Sequence, residues 1–243
     1  MKNITMKRNN LRLEGAKNRQ KLQITAILIS LAVLTGCGPV FQKSPSEKVK
    51  HYQANFEVIG NEKDEMLDNF SETLYETGTR DNTEAKEVII DFIDKSEEFS
   101  VPSGRYEIKG DITGNVYIYD GSGELLFHDI LGSAYGVSSI TVDLTDAHTI
   151  HVDGLDYVSV IPVPTQLTTE LSAGIWEVGI DIEPGNYTIT GPHGGFGYLQ
   201  IFDPIGGSQV FEVISTSTES NIHLKEGQIL RITGISMIHF KSK

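Results

Sequence analysis

The chain has 243 residues, a single cysteine and a formal net charge of −13, with 33 acidic residues against 20 basic ones. One cysteine cannot close an intramolecular disulfide, so stability has to come from ordinary hydrophobic cores. After residue 36 the net charge is −19, and a surface this acidic repels nucleic acid and anionic lipid headgroups, so neither is an expected ligand.

The first 36 residues have the three parts of a secretory signal. Seven Lys and Arg residues lie within residues 1–23, an uncharged apolar run extends from Ile24 to Leu34, and small residues precede Cys37. The apolar run is shorter than the about 17 to 25 residues of a membrane-spanning helix. We therefore predict a signal peptide over residues 1–36.

The end of this segment, Leu34-Thr35-Gly36-Cys37, resembles the lipobox of bacterial lipoproteins. The resemblance implies cleavage before Cys37, attachment of acyl chains such as palmitate to its thiol, and anchoring on the extracytoplasmic side of the cell membrane. Two acyl chains suffice for stable anchoring. Two alternatives remain, namely an ordinary signal that leaves a free thiol and an uncleaved anchor helix.

Residues 37–95 precede the strand-rich part of the chain. Segment 37–60 mixes Gly, Pro, Ser and charge, which predicts a tether. Segment 61–95 predicts two short helices, because apolar residues recur at three- and four-residue spacing, first as Met66, Leu67, Phe70 and Leu74 and then as Val88, Ile89, Phe92 and Ile93. The acidic faces of these helices could bind a hard cation, although a solvated face is the simpler interpretation.

From Phe99 onward the apolar period changes to two, and one pattern occurs twice. Pro102, Gly104, Tyr106 and Ile108 recur as Pro184, Gly185, Tyr187 and Ile189, and the offset between matching positions stays between 80 and 84 residues. The sequence therefore predicts a mainly β fold of two tandem small antiparallel sandwich or barrel modules, 96–163 and 171–243. The link Pro162–Glu170 should separate them.

The second repeat resembles a module of bacterial cell-surface proteins and lipoproteins. The resemblance rests on Trp176, Val178-Gly179, Asp181-Ile182, Pro184-Gly185 and Tyr187. It covers residues 171–243 well and 99–163 poorly, and it implies an extracytoplasmic β module without a known activity.

Catalytic and metal-binding signals are weak. His148 and His151 are three residues apart in a predicted strand and so point to opposite faces. Segment Asp120–Glu124 has calcium-loop residues but the length of a hairpin turn. Segment Gly191–Gly197 is glycine-rich but lacks the Lys-Ser/Thr of a phosphate loop, so a wide turn is expected. We predict no catalytic residue, no metal site and no cofactor.

Aromatic residues on strands give the remaining functional hypothesis. Tyr117 and Tyr119 share one strand face, Tyr198 and Phe202 share the corresponding face of the second repeat, and Phe196 with His193 lies in the glycine-rich turn. If these faces are outer, Tyr117, Tyr119, Phe196 and Tyr198 form a candidate ligand face; if inner, they are core residues.

The expected function is a non-catalytic binding or structural module on the cell surface, with a cell-wall polymer or an extracellular protein as its partner. Tandem duplication favours this interpretation, because two linked weak sites bind more tightly than one. The alternative is an extracytoplasmic hydrolase with a dispersed active site.

Overall fold

The computed structural model describes residues 46–68, 71–76, 79–132, 136–215 and 218–243. The predicted signal peptide and Cys37 lie outside the described residues. The predicted mainly β fold is confirmed. The elements are α1 (Glu47–Asn55), β1 (Glu57–Val58), α2 (Asn61–Leu67), a 3-10 helix (Glu72–Tyr75), β2 (Val88–Ile90), β3 (Ser96–Phe99), β4 (Gly104–Tyr119), β5 (Leu125–Gly132), β6 (Ile140–Leu144), β7 (Thr149–Pro162), β8 (Glu170–Glu177), β9 (Gly185–Thr190), β10 (Phe196–Phe202), β11 (Gln209–Ile214), β12 (Ser220–Leu224) and β13 (Ile229–Ser242).

The C-terminal part of the predicted tether is ordered structure, so the tether prediction is wrong for residues 47–58. Ser46 caps α1 by accepting a hydrogen bond from the Val49 N–H, and Phe56 ends the helix in the left-handed conformation. β1 then pairs with β11. The helix buries no residue completely, so contacts with the strands, rather than a wide apolar face, hold it in place.

The described part of the predicted helical segment 61–95 contains one α-helix, where two were predicted. α2 lies where the first helix was expected but ends at Leu67. The second prediction is wrong, because Val88–Ile90 forms β2 and pairs with β7. Its three consecutive β-branched residues suit a strand, and the apolar spacing of a short run does not distinguish the two structures.

Strand order and register repeat along the chain, which defines a first unit (β2–β7) and a second unit (β8–β13). The single strand β4 of the first unit corresponds to β9 and β10 of the second. Strands β5, β6 and β7 correspond to β11, β12 and β13, and β2 together with β3 corresponds to β8. In the first unit Tyr106 faces Val142 across β4 and β6. Its counterpart Tyr187 faces Ile222 across β9 and β12 in the same way.

Two glycine pairs allow the long strands to bend at the same place in each unit. Gly154 and Gly234 both have a φ of 74°, a left-handed conformation that glycine adopts most easily. Each lies against a second glycine, since a Cβ on Gly114 would come 2.3 Å from the Asp153 carbonyl oxygen and one on Gly197 would come 2.2 Å from that of Thr233. The bend lets β7 pair with β3 before Gly154 and with β2 after it, and lets β13 pair with β10 before Gly234 and with β9 after it.

The two units share one continuous sheet, so the prediction of two separate modules is not confirmed. β6 of the first unit pairs in parallel with β8 of the second, through Ile140 with Ala173 and Thr141 with Gly174. Each unit has its own cluster of buried apolar side chains, but the first cluster also includes residues of the second unit, namely Ala173, Phe202 and Ile229.

A buried ionic cluster, here called the junction cluster, joins the units and the segment before β2. It consists of Arg80, Arg105, Asp143, Glu177 and Asp181. Arg105 contacts Asp143 at 2.8 Å and Asp181 at 2.9 Å, and Arg80 contacts the same two carboxylates at 2.7 and 2.9 Å. Because Arg105 and Asp181 are fully buried, each depends on the others for compensation of its charge.

Candidate functional site

A groove of about 890 Å³ lies between α1, β1 and α2 on one side and β10 and β11 on the other. Its accessible surface is mostly apolar. The apolar walls come from Val49 and Tyr52 of α1, Val58 and Ile59 around β1, Met66 of α2 and Tyr198 of β10. A concave apolar surface with a few polar groups is the usual form of a binding site.

Hydrogen bonds to the second unit fix the position of α1 and α2. The Tyr52 hydroxyl donates to a carboxylate oxygen of Glu212 on β11. The Asn55 side chain bonds the backbone of Asn221 on β12. At the end of α2, the Met66 carbonyl accepts hydrogen bonds from the Gln200 amide at 3.0 Å and from the Arg231 guanidinium at 3.2 Å. The groove is therefore built by tertiary contacts of a segment without a strong apolar pattern.

Acidic residues surround the groove. Four carboxylates and a single ammonium group contribute to its lining, namely Glu57, Glu62, Glu65, Glu212 and Lys48. The ammonium group of Lys48 pairs with Glu62. Burial, followed by the bond to Glu212, raises the pKa of Tyr52 to about 12, and burial also raises the pKa of Tyr198. Both phenols are thus neutral donors at physiological pH, and the groove carries a negative charge.

The predicted aromatic face of the second unit is divided. Tyr198 is half-buried and lines the groove, and Phe196 packs edge-on against it at 5.5 Å between ring centroids while remaining 51% exposed. Phe202 instead is buried in the cluster of the first unit. The groove therefore contains one of the predicted ligand residues and has a second at its margin.

Tyr117 and Tyr119 lie on the outer face of the first unit and alternate along β4 with the core residues Val116 and Ile118. Their rings form a row with His128. Tyr117 stacks on His128 at 4.3 Å and on Tyr119 at 6.3 Å, with interplanar angles of 11° and 13°. Tyr117 thus has ring neighbours in His128, Tyr119 and His151, whereas Tyr119 also borders an open hollow.

An open hollow of about 610 Å³ lies beside Tyr119 and includes Glu98, His151 and the turn from Asp120 to Gly123. The Asp120 carboxylate accepts bonds from the N–H and hydroxyl of Ser122 and from the Glu124 N–H. The hydrogen bond that the Ser71 hydroxyl donates to the Asp120 carboxylate is the main cause of the lowered pKa of Asp120. These bonds confirm the hairpin interpretation of Asp120–Glu124.

The glycine-rich segment between β9 and β10 is a turn, as predicted. The Gly195 N–H donates to the Pro192 carbonyl, and the Gly195 carbonyl accepts from Ser215. His193 in this turn is exposed.

The histidines of the described residues contact amides, carboxylates and backbone rather than serine hydroxyls. The closest side-chain partners are Asn115 for His128, Glu98 and Asp153 for His151, Asn186 for His223, and Glu170 for His239. Within the described ranges there is no group of three or more His, Cys, Asp or Glu side chains placed to hold a metal ion. None of the helices in that part of the chain is long and apolar enough to span a membrane.

Comparisons with protein-family models and with curated proteins find no match for this chain.

The groove was not predicted from the sequence, because most of its lining belongs to segments interpreted as a tether and a solvated helix. A weak signal is present in residues 49–56, where Val49, Tyr52 and Phe56 follow helical spacing. Tyr52 and Phe56 also pack edge-on at 5.6 Å. The partner Glu212 lies 160 residues further along the chain, so no local pattern indicates the contact.

Proposed function

We propose that this chain is a lipid-anchored, extracytoplasmic binding protein without catalytic activity. The anchor is supported by the basic segment 1–23, the apolar run Ile24–Leu34 and the lipobox-like residues before Cys37. Binding is supported by the groove formed by α1, β1 and α2 on the second unit. The alternative of a hydrolase has no described serine–histidine contact in its favour.

The groove supports binding of a polypeptide segment that carries both apolar and basic side chains. Val49 is 42% exposed, and its groove neighbours offer further apolar surface to a ligand. The carboxylates around the rim attract cations, and the acidic chain as a whole adds to this attraction. An apolar groove with an acidic rim is the main support for the proposed function.

The groove lies close to the proposed anchor. Nine residue steps separate Cys37 from the cap Ser46, and an extended chain spans at most about 3.6 Å per step. A lipidated Cys37 therefore holds the start of α1 within about 30 Å of the membrane surface. A partner in the groove would be an extracellular or membrane-proximal protein.

Ligand chemistry is tested with the soluble chain from residue 38 and two short labelled peptides, one of Leu and Lys and one of Leu and Glu. The Leu–Lys peptide should bind, with an affinity that falls as salt rises. Val49→Arg should weaken binding by about tenfold or more, since it adds a cation to the groove. Ile205→Arg is the matched control, because Ile205 is 96% exposed on the turn between β10 and β11 and does not line the groove. Equal binding of both peptides would contradict the proposal.

The anchor is tested by expression with radiolabelled palmitate. The unmodified chain should be labelled and found in the membrane fraction, whereas Cys37→Ser should lack label and either remain as precursor or enter the medium. Processed Cys37→Ser protein that stays in the membrane would contradict lipidation at this residue.

A second ligand, a cell-wall glycan, is favoured by the position of Tyr119 at an open hollow. Aromatic faces stack on the apolar face of sugars, and the hollow beside Tyr119 supplies Glu98 and His151 as hydrogen-bonding groups. Co-sedimentation with purified cell wall should fall several-fold in Tyr119→Ala. If co-sedimentation falls in Val49→Arg but not in Tyr119→Ala, the glycan does not bind the face that contains Tyr119.

A further inference from the structure

The two units meet through strand edges. On β6, Ile140 and Thr141 pair in parallel with Ala173 and Gly174 of β8, and the Thr141 and Ser172 hydroxyls lie 3.0 Å apart. The approach is close, since a Cβ on Gly174 would come 1.9 Å from the Thr141 carbonyl oxygen. The β6 edge of the first unit thus accepts β8, the first strand of the second unit.

The second unit carries the equivalent edge on β12. The register of β12 with β9 reproduces that of β6 with β4, so Asn221 holds the place of Thr141. β12 pairs with β9 on one side. Asn221 faces Thr188 across that pair, while its own N–H and carbonyl are directed to the other side.

A side chain of α1 occupies that other side. The Asn55 amide oxygen accepts from the Asn221 N–H at 2.7 Å, and the Asn55 amide nitrogen donates to the Asn221 carbonyl at 2.9 Å. A carboxamide presents one acceptor and one donor, as the backbone of a neighbouring strand does. Asn55 thus satisfies the backbone groups of Asn221, which lies at the position that Thr141 occupies in the edge that joins the next unit.

We propose that β12 is a strand-accepting edge that Asn55 closes, and that its occupant when Asn55 is withdrawn is a second copy of this chain, bound head to tail. The internal contact between β6 and β8 is the template for this contact. β2, which with β3 corresponds to β8, is an end strand of the continuous sheet, and Ile89 on it and Phe92 just after it are 48% and 76% exposed. The edge of one copy therefore meets an apolar end on the next.

Such a contact joins two different surfaces of the chain, so each added copy presents a new open edge. Contacts of this type grow into rings or filaments rather than stopping at a dimer. An exposed edge is a common starting point for association, and natural proteins cover edges to prevent it.

The test is the mass of the soluble chain from residue 38, which includes every described residue, measured by light scattering over a range of concentrations. The unmodified chain should remain a monomer. Asn55→Ala should form species of about three or more copies whose mass rises with concentration. Lys50→Ala is a control on the same helix, because Lys50 contacts Glu47 rather than β12. Circular dichroism checks that each variant is folded.

A second substitution tests whether association depends on the β12 edge or only on a general loosening of α1. Asn221→Pro removes the N–H of the edge, and proline is tolerated on an edge strand where this group points away from the sheet. Added to Asn55→Ala, it should restore the monomer. Tyr52→Phe, which loosens α1 but keeps Asn55, should also remain monomeric. A folded Asn55→Ala chain that stays monomeric, or that stops at a dimer, would overturn the proposal.

Discussion

At the scale of single residues, Asp129 links the units through a buried carboxylate. It accepts hydrogen bonds from the N–H groups of Ile130 and Gly234, both at 2.8 Å. Burial nevertheless raises its pKa to about 6, because loss of hydration disfavours the charged form. The folded state therefore binds more protons than the unfolded state between about pH 4 and 6.

This pKa predicts a pH-dependent contribution to stability. From pH 7 to pH 5 the contribution of Asp129 to the free energy of unfolding should rise by about 1 kcal/mol, because the folded state takes up the proton below about pH 6. His128 and His148, whose pKa values burial lowers, act in the opposite direction. The comparison of the unmodified chain with Asp129→Asn in urea at both pH values isolates the carboxylate. Identical pH dependence in the two proteins would contradict this assignment.

Replacing one carboxylate of the junction cluster with an uncharged amide should strongly lower the free energy of unfolding. Asp181→Asn leaves Arg80 and Arg105 with one fewer compensating charge in a buried site, so we expect a loss of about 3 to 5 kcal/mol. Lys109→Ala removes an exposed pair with Glu107 and should change stability by less than about 1 kcal/mol. Urea unfolding of both variants measures the difference, and a small effect at Asp181 would show that the cluster is not needed for stability.

At the scale of elements, the glycine pairs explain how two short repeats form the same bent strands. Gly197→Ala would place a Cβ 2.2 Å from a backbone carbonyl, so β10 or β13 has to move and we expect a loss of more than about 2 kcal/mol. Gly185→Ala is the control, since its nearest contact would be 3.5 Å away on the Tyr187 ring. Equal melting temperatures of the two variants would contradict the role of the pair.

The repeat and most strands could be predicted, whereas α1, β2 and the groove could not. Tyr106 and Tyr187 occupy matching sequence positions and donate to the carbonyls of Pro102 and Glu183 in the same manner. Such local geometry follows local sequence. α1 depends on Glu212 and Asn221, which are distant in the chain, and sequence periodicity contains no information on those contacts.

At the scale of the whole molecule, the shared sheet changes the expected outcome of proteolysis. The link between the units is held at both ends, since Val163 donates to the Arg105 carbonyl and Thr168 to that of Asp181. Cleavage within residues 164–167, where Leu167 is 53% exposed, should give two fragments that still elute together. Fragments that separate without denaturant would show that the units fold independently.

The central claim is that the groove between α1, β1, α2 and the second unit binds segments with apolar and basic side chains. Hydrogen exchange with and without the Leu–Lys peptide tests this most directly. The account predicts slower exchange of backbone amides in α1, β1 and β11, with no change around Tyr117 and Tyr119. Protection confined to the face of Tyr117 and Tyr119, or no protection at saturating peptide, would contradict it.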